Sequence, residues 1–196
     1  ADKVIVLDPS SRADIAEFTF DLAQKIEGRL IALGVSVFLT RGLTTAPSED
    51  ERIAFTNNTS ADLLISLSVD RHSSGDANGL ATYFYGSETH GIHSIVGEKF
   101  ATIVQRELIA RTDLLNNRTH AKTWNLLRLT KAPAVMLDIG YISNPKDSSR
   151  LADPNFRDVI AEGLVVAIQR MYLSAEQDAK TGTLRLEDLR KAGLRK

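Results

Sequence analysis

The histidines are the side chains in this sequence best suited to bind a metal ion, and there are four of them: His72, His90, His93 and His120. The chain contains no cysteine, which excludes thiolate metal sites, thiol nucleophiles and disulfides. His90 and His93 are three residues apart at the predicted start of a helix, a spacing that suits two ligands of one metal ion. The simpler interpretation is a pair of solvent-exposed side chains at a helix terminus. His72 is expected in a polar loop, where a surface position is again the simpler interpretation.

Asp138 is an acidic residue inside an otherwise apolar segment, the predicted strand Ala134–Ile139. Burial of an ionised carboxylate without a partner is costly, so we expect Asp138 to be hydrogen-bonded or to lie at the solvent-open edge of the sheet. His120 is one candidate partner. A buried His120–Asp138 pair suits a structural role and a functional role equally well.

Short apolar runs and longer amphipathic segments alternate along the chain and predict the elements that position these residues. The segment Asp14–Leu33 has apolar residues at three- and four-residue steps and ends at Gly34, which is typical of an amphipathic helix. Ser48–Glu51 has the spacing of a capping box for a helix that runs to about Asn58. Further helices are predicted at Ile92–Arg111 and Pro154–Tyr172, and strands at Lys3–Asp8, Val35–Thr40, Ala61–Val69, Gly79–Tyr85, Leu126–Leu129 and Ala134–Ile139.

This alternation predicts the fold class. Strands that alternate with helices of this length indicate an α/β fold, in which helices cover both faces of a mostly parallel, twisted sheet of about six strands. Asn144-Pro145 is predicted to form a turn after the last strand.

Length and composition indicate one globular domain with a tail. The 196 residues are 43% hydrophobic and 25% charged, and the formal net charge of −1 provides no general attraction to nucleic acid, so we expect no nucleic-acid partner. We expect no transmembrane segment, because no apolar run approaches the roughly 18 residues of a membrane span. No signal peptide opens the chain, and we interpret the sequence as a domain cut from a longer protein. Residues 1–173 are the predicted domain, and residues 174–196 a C-terminal tail of different composition.

Four segments carry a family pattern: Val4–Pro9, Val37–Arg41, Ala61–Leu67 and Pro133–Pro145. In order and spacing they resemble the zinc-dependent N-acetylmuramoyl-L-alanine amidases of the amidase-3 type, and the resemblance covers about residues 3–173. It implies the amidase-3 fold. It also implies a zinc ion held by two histidines and a glutamate, with an open position for water and a further glutamate that moves the proton.

Carried over residue by residue, the family's functional positions have changed in this chain. Ser11 stands where the first histidine is expected, and Ser68 stands where the second is expected. An ungapped count places Ile15 at the metal-binding glutamate, while Glu17 lies about 200° further around the helix. Asp138 replaces the catalytic glutamate and is one methylene shorter. Because hydroxyls and an isoleucine do not hold zinc as imidazoles and a carboxylate do, we predict a pseudoenzyme with no catalytic residue, no metal and no cofactor.

A narrower resemblance involves Arg106–Thr112, Thr123–Thr130, Asp138–Pro145 and the tail residues 181–183. These segments are similar to a catalytically degenerate actinobacterial branch of the family. The similarity implies a cytoplasmic regulator of peptidoglycan precursor synthesis. Its partners are a Ser/Thr protein kinase, the enolpyruvyl transferase of peptidoglycan synthesis and a phosphothreonine-binding protein. The phosphorylation candidates are Thr181 and Thr183, and the candidate partner contacts are Leu184, Leu186 and Leu189.

Two alternatives to this interpretation stay open. The chain is an active zinc amidase if other residues supply the ligands, or a non-catalytic binder of peptidoglycan fragments if the former cleft keeps its substrate-binding groups. The expected location changes to the cell envelope if the full-length protein is exported.

Overall fold

The computed structural model describes residues 3–173, and its centre is a seven-stranded sheet. Four strands form a parallel block in the order β2-β1-β3-β7. Strand β4 lies antiparallel to β7 and pairs with β5 and β6 at the far end of the sheet. The strands are β1 (Val4–Pro9), β2 (Ser36–Leu39), β3 (Leu63–Asp70), β4 (Leu80–Ser87), β5 (Ile92–His93), β6 (Asn116–Lys122) and β7 (Ala134–Tyr141).

Within residues 3–173, six α-helices surround this sheet. They are α1 (Ala16–Ala32), α2 (Glu49–Asn58), α3 (Ile95–Arg111), α4 (Asn125–Leu129), α5 (Pro145–Ala152) and α6 (Pro154–Ile168). Helices α1, α3 and α6 pack together over the larger core. Helices α2 and α4 enclose a smaller core on the other face, which contains Val6, Ile53, Leu64 and Leu126. The fold class predicted from the sequence, a mostly parallel sheet with helices on both faces, is therefore confirmed.

The structure corrects the prediction for Leu126–Leu129, which forms helix α4 and not a strand. Leu126 and Leu127 are adjacent and both buried, and Arg128 donates its backbone N–H to the carbonyl of Trp124 in helical fashion. The strand at the far end of the sheet is instead the polar segment β6. Its residues alternate between exposed and half-buried, so it lacks the apolar run that would have marked it in the sequence.

Other differences concern the ends of helices. Helix α1 begins two residues later than predicted, at Ala16, and Ile15 is its N-cap. Helix α3 begins at Ile95 and not at Ile92, because a 3-10 turn at Glu88–His90 and strand β5 precede it. The regular hydrogen bonding of α6 ends at Ile168 and continues as a π-helical turn, Gln169–Leu173. The predicted turn at Asn144-Pro145 is the start of a further helix, α5, in which Asn144 is the cap. The capping box of α2 is confirmed, since Ser48 and Glu51 each accept the other's backbone N–H.

A bulge lies where β3 and β7 end together. Ser68 is paired with Asp138, but the next pair is Asp70 with Tyr141, so β7 contains one extra residue. Gly140 has a φ of +83° within this bulge, a backbone conformation that glycine adopts without strain. Asp147 holds the bulge by accepting the backbone N–H of Tyr141 at 3.0 Å. The register thus places Ser68 and Asp138 side by side on the sheet face that α2 and α4 cover.

Within residues 3–173, no helix is long and apolar enough to cross a membrane. The predicted tail, residues 174–196, lies outside the described residues. So do the five tail residues singled out from the sequence, which are Thr181, Thr183, Leu184, Leu186 and Leu189. The division into a domain at 1–173 and a tail at 174–196 therefore stays a prediction.

Candidate functional site

The candidate site lies at the carboxyl ends of β1, β3 and β7, where ligands bind in open α/β sheets. A cavity of about 350 Å³ opens there. Its walls combine three serine hydroxyls, two charged side chains and an apolar side, contributed by Ser10, Glu49, Arg52, Ser66, Ser68, Trp124, Leu126, Leu127 and Met136.

A buried carboxylate, Asp8, forms one end of this site. It accepts hydrogen bonds from the Thr40 hydroxyl at 2.7 Å and from the Ser66 hydroxyl at 2.8 Å. The Arg52 guanidinium approaches the same carboxylate at 3.4 Å, and its Nε is buried without a hydrogen-bond partner in the described part of the chain. Sequence reasoning missed this network, because Asp8 and Ser66 are 58 residues apart and meet only through the pairing of β1 with β3.

Asp138 lies beside Ser68 and is only 8% exposed. Burial raises the pKa of its carboxyl to about 7, with a smaller upward contribution from the negative charge of Asp70. The positive charge of Arg12 and a hydrogen bond from Tyr83 lower the pKa of Asp138 by less than burial raises it. The same environment raises the pKa of the Tyr83 hydroxyl above its usual value, so Tyr83 is the donor.

The structure does not form the expected pair between His120 and Asp138. His120 is exposed, and its Nε2 lies 2.7 Å from the carbonyl oxygen of Asn117. Its ring contacts Tyr83, with ring centroids 5.8 Å apart. Tyr83 therefore holds the position next to Asp138 that the sequence interpretation gave to His120. The expectation that Asp138 would be hydrogen-bonded is met by a different residue.

The remaining histidines are dispersed over the surface. His72 accepts the backbone N–H of Ser74, His90 lies 2.9 Å from the Ser87 hydroxyl, and His93 lies 2.9 Å from the Glu98 carboxylate. All three histidines are exposed. This arrangement agrees with the simpler interpretation of each as a surface residue.

The residues predicted to stand at the family's metal-binding positions do not fit a zinc ion. Ser11 and Ser68 are half-buried hydroxyls, and Ile15 is 2% exposed and belongs to the larger core. Glu17 points to solvent from α1 and does not replace Ile15. Among residues 3–173, no three histidine, aspartate or glutamate side chains lie close enough to hold a metal ion. Zinc prefers imidazole, thiolate and carboxylate ligands, and this donor set lacks two imidazoles and a carboxylate at once.

An aromatic wall beside the cavity was not anticipated from the sequence. Trp124 is 41% exposed and lines the cavity, and its ring contacts that of Tyr83 at a centroid distance of 4.8 Å. The Lys122 ammonium lies 5.6 Å from the centre of the Trp124 ring. An exposed tryptophan next to serine hydroxyls is suited to packing against an organic ligand.

The comparisons with known proteins agree with this fold. The family model described as N-acetylmuramoyl-L-alanine amidase, Amidase_3, matches residues 13–170. This match covers most of the chain, and the chain therefore belongs to the amidase-3 family.

Among its relatives is the N-acetylmuramoyl-L-alanine amidase CwlM of Mycobacterium tuberculosis, which is 42% identical over 186 residues. The match covers 95% of this chain but 46% of CwlM, and the chain spans about half the length of the curated relatives it matches. The catalytic domain of the amidase CwlV from Bacillus (Paenibacillus) polymyxa var. colistinus has a TM-score of 0.77 at 26% identity, covering 88% of this chain and 98% of that domain. The CwlD amidase of Clostridioides difficile, solved in complex with the GerS lipoprotein, shares the fold, with a TM-score of 0.75 at 20% identity. That match covers 89% of this chain and 100% of CwlD.

Proposed function

We propose that this chain is the amidase-like domain of a non-catalytic regulator of peptidoglycan precursor synthesis, which acts by protein–protein contact. The observation that carries the proposal is the donor set at the former metal site. Ser11, Ile15 and Ser68 stand at the three positions expected to hold the metal, and among residues 3–173 no group of three histidine, aspartate or glutamate side chains could take their place. A single substitution leaves room for a neighbour to compensate, but three leave no ligand shell.

Asp138 does not restore hydrolysis on its own. In this family the metal lowers the pKa of the attacking water and polarises the amide carbonyl, and a lone carboxylate supplies neither effect. A carboxyl whose pKa lies near 7 is partly protonated at neutral pH and accepts the hydroxyl of Tyr83. These features suit a packing or binding role for Asp138.

The regulatory part of the proposal draws on the relatives. The 42% identity to CwlM extends over nearly the whole chain, and the fold is found in complex with a protein partner in CwlD with GerS. The proposed partners are the enolpyruvyl transferase of peptidoglycan synthesis, a Ser/Thr kinase and a phosphothreonine-binding protein, in the cytoplasm. Phosphorylation of Thr181 or Thr183 would add a charge of about −2 close in sequence to Arg185 and create a docking mark.

The test uses the full chain after treatment with a Ser/Thr kinase. The phosphorylated chain is expected to bind the enolpyruvyl transferase in a pull-down and to raise its activity, and a variant with Thr181→Ala and Thr183→Ala is expected to do neither. Thr102→Ala removes an exposed threonine of α3 and is the matched control, expected to behave as the unaltered chain. Equal activation by the tail variant and the control would refute the regulatory role.

The non-catalytic part has a separate test. Elemental analysis of the purified chain is expected to find zinc well below one equivalent, and incubation with muropeptide is expected to release no L-alanyl peptide. One tightly bound equivalent of zinc, with peptide release that a chelator blocks, would establish an active amidase instead.

A second candidate function is supported by the cavity itself. Trp124 is exposed beside it, and the Ser68 hydroxyl has no hydrogen-bond partner among residues 3–173, so the former cleft keeps groups that suit a peptidoglycan fragment. Calorimetry with a muropeptide separates the two candidates. A cleft that binds is expected to release heat that Trp124→Ala reduces, whereas a regulator that acts only through partner proteins gives none.

A further inference from the structure

Arg12 makes a set of contacts that the sequence did not single out. Its Nε donates to the Asp14 carboxylate at 2.6 Å, and its Nη2 donates to the carbonyl oxygen of Val69 at 2.7 Å. Its backbone N–H donates to the Ser10 hydroxyl at 3.3 Å. The Asp14 carboxylate also pairs with Arg71, at 3.0 Å.

These contacts join three segments of the chain. Arg12 itself belongs to the loop after β1, Asp14 lies just before α1, and Val69 lies at the end of β3. The three positions expected to hold zinc in the family, Ser11, Ile15 and Ser68, occupy the same segments. Each is adjacent in sequence to a residue that Arg12 contacts, namely Ser10, Asp14 and Val69 respectively. Arg12 therefore connects the segments that a metal ion would otherwise connect.

The acceptor on Val69 is its backbone carbonyl oxygen, which receives a hydrogen bond from Arg12. The Leu67 carbonyl accepts the Ser10 backbone N–H across the pairing of β1 with β3, and that pairing ends at Pro9 and Leu67, so the Val69 carbonyl two residues further on lies beyond it. A buried or half-buried carbonyl oxygen needs a donor, and the guanidinium supplies one. The planar fork of an arginine can bond a carboxylate and a carbonyl at the same time, which a lysine does less well.

We propose that the half-exposed Arg12 guanidinium is a cation of the chain itself that replaces the metal ion of the family, both as a cross-link between the loop, the start of α1 and β3 and as a positive charge that disfavours a divalent cation at this site. The inference rests on the loss of the zinc ligands described under the proposed function, but it does not depend on any protein partner. Asp138 lies within the electrostatic influence of Arg12, which places this positive charge near the former catalytic carboxylate.

A second arginine shows what is specific to Arg12. Arg41 is buried and donates to the carbonyl oxygens of Pro9, Ser10 and Ala16, so it also ties the loop after β1 to α1. Its hydrogen bonds within the described chain do not reach β3. Arg12 adds a side-chain connection to the end of β3, at Val69, beyond the backbone bond from Ser10 to Leu67.

The first experiment measures hydrogen exchange of the full chain by mass spectrometry. In Arg12→Ala, backbone amides at residues 10–15 and 68–72 are expected to exchange at least tenfold faster, and Arg12→Lys is expected to recover part of the protection. Arg71→Ala is the matched control, because Arg71 pairs with the same Asp14 carboxylate but has no bond to Val69. Equal exchange in Arg12→Ala and Arg71→Ala would overturn the cross-link.

The second experiment restores the ligand set. The variant Ser11→His, Ile15→Glu, Ser68→His is compared with the same variant carrying Arg12→Ala, and zinc affinity is measured by titration. We expect zinc to bind at least tenfold more tightly when Arg12 is replaced. Equal affinities would overturn the role of Arg12 as the competing cation.

Ile15 is buried, and circular dichroism reports whether its replacement by glutamate is tolerated. If the triple variant does not fold, the same comparison is made with Ser11→His and Ser68→His alone, with the same two outcomes.

Failure of this inference is distinguishable from failure of the proposed function. Zinc at one equivalent in the unaltered chain contradicts the proposed function, whereas a metal-free chain in which Arg12→Ala changes neither exchange nor zinc affinity contradicts only the role of Arg12.

Discussion

Replacement of Asp138 by asparagine is expected to stabilise the protein, and to do so more at high pH than at low pH. The pKa of the carboxyl is about 7 in the folded chain and 3.8 as its ordinary value. The folded state therefore binds the proton more tightly, unfolding releases it, and stability falls as the pH rises from about 4 to 7. At about 1.4 kcal/mol per pKa unit, the ionised carboxylate costs roughly 4 kcal/mol at pH 8 and roughly 1.5 kcal/mol at pH 5.

The assay is urea denaturation of the unaltered chain and Asp138→Asn at both pH values. The gain in free energy of unfolding is expected to be larger at pH 8 than at pH 5 by about 2.5 kcal/mol. Effects of the amide that do not depend on pH cancel in this difference. Asp70→Asn is the control, because removal of the Asp70 charge lowers the pKa of Asp138 and should reduce the pH dependence without abolishing it. A gain that is the same at pH 5 and pH 8 would refute the buried, proton-binding carboxyl.

The hydrogen bond from Tyr83 lowers the pKa of Asp138, so Tyr83→Phe is expected to raise that pKa above about 7. NMR titration of the Asp138 carboxyl carbon measures the change, and an unchanged or lower pKa would contradict the contact. Ser66→Ala removes a donor from the buried Asp8 carboxylate and is expected to cost about 1–3 kcal/mol in denaturant unfolding, with no comparable loss in Ser60→Ala on the surface. Ser48→Ala removes the cap of α2 and is expected to cost about 1 kcal/mol, and a neutral result would contradict the capping box.

Much of the fold follows from patterns that are local in the sequence. The apolar stripe of α1, the capping box at Ser48–Glu51 and the buried run of β3 each involve residues within one element, and all three were predicted. The predictions failed where an element depends on its neighbours. The polar strand β6 exists because it pairs with β4, and α4 forms because Leu126 and Leu127 pack into the smaller core. Neither partner is visible from the segment itself.

The sequence by itself determined the family resemblance, and counting from its motifs led to the prediction that Ser11, Ile15, Ser68 and Asp138 stand at the family's functional positions. Only the tertiary structure decided what surrounds those positions. Arg12 reaches Val69 across 57 residues, and Tyr83, not His120, meets Asp138. The physical reason is that these contacts depend on the register of β3, β4 and β7 and on the bulge at Gly140, which set distances that no local pattern encodes.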